Sequence, residues 1–148
     1  MPTNSLFLLL SHRFLCDPAN IELKYHSAKI TAARGSSAIL SCVAEYDFDR
    51  CRHRLHVVWQ QVDDNNTTEL IDPNKYLTTV NETISDDNRR VRQVVTEILD
   101  LTPKDNGQFQ CIAVCNEETA RGHFIKISVT GTVLYCMGPF LLCPCGLV

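Results

Sequence analysis

Cys42 and Cys111 stand about 70 residues apart, and the only tryptophan of the chain, Trp59, falls between them. Cys42 lies in Ala38-Ile-Leu-Ser-Cys-Val-Ala44, with Ile39 and Val43 flanking it in a strand pattern. Cys111 closes Asp105-Asn-Gly-Gln-Phe-Gln-Cys111, a turn running into a strand, and Trp59 sits in His56-Val-Val-Trp-Gln60. One disulfide between strands so far apart in sequence ties two sheets face to face, and an indole packed on it fills the thin core between them. Few folds satisfy that arrangement.

The rest of the central region agrees. Ala38–Val43, His56–Val62, Arg92–Leu99, Phe109–Val114 and His123–Val129 alternate or are rich in β-branched residues, and polar turns separate them. No segment keeps a helical period, and there is no internal repeat. Evenly spaced short strands predict an all-β, two-sheet antiparallel sandwich with Greek-key connections. The order Cys–Trp–Cys at this spacing is the signature of the immunoglobulin superfamily, which the chain therefore resembles. Leu101-Thr-Pro-Lys-Asp-Asn-Gly107 reads as the corner before the second cysteine. Phe109, two residues before Cys111, occupies the place where that superfamily usually carries a tyrosine. It keeps the ring and gives up the hydroxyl.

Eight cysteines in 148 residues, with no CxxC pair at zinc-finger spacing, point to an oxidising compartment. Asn65, Asn66 and Asn81 each begin an N-x-Thr triplet in a polar stretch, as extracellular glycosylation sites do. Net charge is −3, without the basic stripe a nucleic-acid partner calls for. The basic clusters Arg50–Arg54 and Arg89–Arg92 read as solvated loop or strand faces. Residues 1–15 read as a poor or incomplete signal-like segment: Leu6–Leu10 is apolar, but no basic residue precedes it and His12 and Arg13 interrupt it. The domain spans 16–130. Residues 131–148 form an uncharged apolar tail with Cys136, Cys143 and Cys145, broken by prolines and shorter than a membrane span, and read as a truncated membrane segment.

Cys16, Cys51 and Cys115 fall at one end of such a sandwich, where both Cys16–Cys51 and Cys51–Cys115 are open. Spacing alone does not choose between them. Cys51, His53, His56 and Cys115 are ligand types zinc accepts, but their spacing is irregular and an oxidising compartment favours a disulfide. No base–orienter pair accompanies a nucleophile. Neither enzyme activity, metal nor cofactor is expected, and no small-molecule substrate.

Cys51-Arg-His-Arg-Leu-His-Val-Val-Trp59 resembles the same region of the B- and T-lymphocyte attenuator family, inhibitory receptors of lymphocytes. Leu101–Cys111 and the Cys16-Asp17 start are similar too, and the resemblance covers 16–130. It implies a Cys16–Cys51 disulfide with Cys115 left over. It also implies a cell-surface partner, the herpesvirus entry mediator of the tumour-necrosis-factor-receptor family, bound at an edge near the first and last strands with His56 and His123 in contact. The chain departs from the family at Gln60, where a further cysteine usually stands, and in a longer loop before Trp59. No tyrosine signalling motif is present, which fits a truncated, secreted or decoy form. The alternatives are a CD200-like or B7-like cell-surface ligand and a virus-encoded decoy of the same fold.

Overall fold

A computed structural model describes residues 21–25, 28–51 and 54–131. The signal-like segment, Cys16, His53 and the apolar tail with its cysteines lie outside the described residues. Among the described residues ten strands follow one another: β1 Ile21–Tyr25, β2 Lys29–Ala33, β3 Ala38–Asp47, β4 His56–Asp63, β5 Asn66–Glu69, β6 Tyr76–Ile84, β7 Arg89–Ile98, β8 Gly107–Cys115, β9 Glu118–Arg121 and β10 Ile125–Thr130. One helical turn, α1 (Phe48–Cys51), follows β3, and a 3-10 turn at Pro103–Asp105 precedes β8.

The strands form two sheets, an all-β sandwich. One sheet runs β1-β3-β7-β6, and the other β2-β10-β8-β4-β5, with β9 also on β8. The expectation of purely antiparallel sheets is corrected at one place: β2 and β10 pair in parallel. The reason is that the first stretch of chain is divided. β1 joins β3 in one sheet, and β2 joins the last strand of the other while running in its direction. Between β2 and β3 the chain turns at Gly35, whose φ of 80° suits a residue without Cβ. Its N–H donates to Leu101 O at 2.8 Å, and Leu101 N donates back to Ser36 O at 2.9 Å.

Burial alternates along β3, as a sheet with one face on a core requires, while in β8 the outward Ile112 is buried as well. Leu40, Cys42, Trp59, Val94, Ile98, Leu101, Phe109, Cys111, Ile125 and Ile127 make the central core. The Cys42–Cys111 disulfide crosses it, joining β3 to β8. Trp59 is the register partner of Cys111 and is 1% exposed, so the indole lies against that bridge as expected.

A second cluster, with Ile21, Ala44, Tyr46, Cys51, Leu55, Ala113 and Cys115, closes one end. Its cysteines correct an expectation. Cys51 is bonded to Cys115, not to Cys16, and Cys115 is not left over. The helical turn after β3 carries Cys51 back over the sandwich end to meet the last residue of β8, with the Cα atoms 5.4 Å apart. That route was one of the two geometric options, and the similarity-based choice was the wrong one.

Charge closes the same end. Arg90 and Arg92 do not form a solvated face. Arg90 stacks over the Phe48 ring at 4.5 Å, and Arg92 donates to Leu55 O at 2.6 Å and to Glu82 Oε2 at 2.7 Å. Tyr46 O–H donates to Glu82 Oε1 at 2.5 Å. At the opposite end Lys75 Nζ donates to Leu99 O, Asp100 O and Asp105 Oδ2 at 2.8, 3.0 and 2.8 Å. Asp105 is buried and also accepts from Thr102 N, which fastens the 3-10 corner.

Candidate protein-binding face

The register of β5, β4, β8 and β9 arranges their outward side chains in rows. Trp59, Phe109 and Cys111 point into the core, so their neighbours along each strand point out. One row reads Val58–Ile112–Arg121. Beside it on one side lies Glu69–Gln60–Gln110, and on the other His56–Val114–Thr119. Val58 and Ile112 are each only 9% exposed and belong to neither core cluster. They are register partners on adjacent strands, and they form an apolar centre on the outside of the sheet.

Polar groups frame that centre in an ordered way. Gln60 Nε2 donates to Gln110 Oε1 at 3.5 Å, and Gln110 Nε2 donates to Gly122 O at 2.7 Å. This amide chain runs from β4 across β8 to Gly122, just past β9, and Gln60 is buried at 4% exposure. His56 Nε2 lies 3.6 Å from Glu69 Oε1 on the rim. Arg121 stands on the other rim, and Phe124, 46% exposed, follows it.

His123 sits in the link between β9 and β10. The registers of those two strands on β8 differ by one residue, which marks a bulge there. Its ring meets Tyr25 edge to face at 5.5 Å, bridging the end of β1 to the other sheet. His123 therefore stands at the edge formed by the first and last strands. His56 does not. It opens β4, opposite Val114, and β8 runs between it and His123. The structure separates the two histidines: His56 lies on the outer face at the start of β4, while His123 turns towards Tyr25 of the other sheet.

Asn65 lies in the two-residue turn between β4 and β5, and Asn66 begins β5; both are exposed. Asn81 is exposed on β6, opposite Gln93 on the outside of the other sheet. All three stand away from Val58 and Ile112. Cys51 and Cys115 are bonded to each other, so they offer no thiolate to a metal. Among the described residues no three His, Cys, Asp or Glu side chains are placed to hold one. Two disulfides in a chain this rich in strand fit an extracellular domain.

The sequence reading missed Val58, Ile112, Gln60 and Gln110. A signal existed: His56-Val-Val-Trp and Cys111-Ile-Ala-Val are apolar at both parities, the pattern of a strand with both faces covered. No protein-family model matches the chain, and no curated protein matches it in sequence.

Proposed function

We propose that the chain is an immunoglobulin-type domain with Greek-key connections, and that it binds another cell-surface protein through the outer face of β4, β8 and β9. The observation that carries this reading is the Val58–Ile112 pair, shielded but outside both cores. An apolar centre within a rim of His56, Glu69 and Arg121 has the anatomy of a protein interface. A flat antiparallel face suits a folded partner better than a small ligand, which needs a concavity.

The resemblance at Cys51–Trp59 makes the herpesvirus entry mediator the first partner to test, with the chain acting as an attenuator-type receptor or decoy. The Cys51–Cys115 disulfide favours a second reading, a CD200-like or B7-like ligand, because the attenuator resemblance implies Cys16–Cys51 in its place. Both readings use the same face, and neither involves catalysis.

The test is biosensor binding of the oxidised protein to that mediator. Arg121→Glu, at an exposed position beside Ile112 on this face, is expected to weaken saturable binding by roughly tenfold, and His56→Ala and His123→Ala by a few-fold each. Binding indifferent to Arg121→Glu would move the site off this face. A folded protein that does not bind would remove the attenuator assignment and leave the second reading.

A further inference from the structure

We infer that β6 is a self-pairing edge, through which two copies of the chain join antiparallel about Val80. β6 ends its sheet, with β7 on one side and no strand on the other among the described residues. It is nine residues long and carries no lysine, proline or bulge to blunt such an edge, and its one inward charge, Glu82, is neutralised by Arg92.

Its side chains are uncovered where they should be buried. Val80 is opposite Val94 and Ile84 opposite Arg90, so both face the inside of the sandwich, as Tyr76 does opposite Ile98. Yet Val80 is 54% and Ile84 73% exposed, whereas Val94 is 1% exposed. The facing sheet ends in the four-residue β5, all of it exposed, so nothing there roofs the far half of β6. An apolar ledge remains beside a row of open backbone groups.

The sequence of β6 fits a second copy of itself. With Val80 on the twofold axis, Val80 meets Val80, and Ile84 meets the second copy's Tyr76. Val80 then covers Val80, and Ile84 lies beside Tyr76, which is half-buried against its own core. Glu82, the only charged residue in β6, meets the second copy's Thr78, so no like charges face each other across the seam. Its carboxylate is already held by Arg92 and Tyr46 within its own chain. One strand pair buries less than the roughly 1,200 Å² of a stable interface, so the dimer is weak and depends on concentration.

Asn81 stands on the outside of this seam, so the protein to test is glycan-free. Sedimentation equilibrium is expected to show a reversible monomer–dimer equilibrium at micromolar concentrations. Val80→Arg puts like charges on the axis and is expected to raise the dimer dissociation constant roughly tenfold or more. Because Val80 is half exposed, that variant keeps its fold, which tryptophan fluorescence verifies. In a second measurement, Val80→Cys and Ile84→Cys are oxidised and the linked peptides mapped. Paired residues bring their Cβ atoms to about 5 Å, within disulfide reach. Position 80 should therefore link to itself, and position 84 should not. A monomer at all concentrations, a dimer unaffected by Val80→Arg, or self-linking at 84 without 80 would overturn the inference.

Discussion

Tyr46, Glu82 and Arg92 come from three strands and meet at the closed end of the sandwich. Burial, then the Glu82 carboxylate beside it, pushes the Tyr46 phenol from the ordinary 10.0 up to about 12. Burial works against the charge on Glu82, but the Tyr46 hydroxyl and Arg92 outweigh it and hold that carboxyl below its usual range. The neutral phenol is the form the fold prefers, so its contribution is complete below about pH 10 and is lost as pH rises towards about 12. Urea unfolding across that window should show the loss. Tyr46→Phe should be about 1 kcal/mol less stable at neutral pH, and the difference from the parent should shrink above pH 10. A constant difference would break the link to titration. The comparison also separates Tyr46 from Tyr76, whose phenol burial raises too. None of this network was legible in the sequence. Arg89–Arg92 looked like a charged face because charge alone carries no direction. Arg92 shares the inward parity of the buried Val94 two residues on, and its register partner Glu82 meets it there.

At the scale of strands, legibility followed burial. β3, β4, β7, β8 and β10 overlap the five segments that the sequence pattern marks, to within two residues at the ends of β7 and β10, because each presents a face to a core. β5 and β6 escaped because nearly all their residues are exposed and so leave no period to read. β6 is nonetheless anchored firmly at its start. Lys75, just before it, satisfies two backbone carbonyls and the buried Asp105 of the 3-10 corner. Replacing it with methionine leaves that carboxylate without its cation, and Lys75→Met is expected to cost about 3 kcal/mol in chemical denaturation. A loss within 0.5 kcal/mol would show that Thr102 and solvent suffice for Asp105. The corner itself was legible from Leu101–Gly107. Its lysine partner was not, since about 30 residues separate the two.

For the molecule as a whole, two disulfides divide the labour. Cys42–Cys111 joins the sheets through the core, while Cys51–Cys115 closes the end, over separations of 69 and 64 residues. Cysteine spacing announced the first because Trp59 came with it. It left the second open because several thiols fall at one end of such a sandwich, and similarity then chose the wrong pair. In the chain-entropy picture the Cys51→Ala/Cys115→Ala double variant should lose about 4 kcal/mol. Its fold should persist, since the core bridge remains, and near-ultraviolet dichroism of Trp59 reports that. An unchanged stability would mean that α1 holds its place by packing alone. The division of the first stretch between β1 and β2 has a mechanical consequence. β2 and β10 run parallel, with Lys29 beside Lys126 and Ala33 beside Thr130. Tension drawn between residue 29 and residue 130 pulls these neighbours lengthwise in opposite directions, so their hydrogen bonds bear load together in shear instead of opening one after another like a zip.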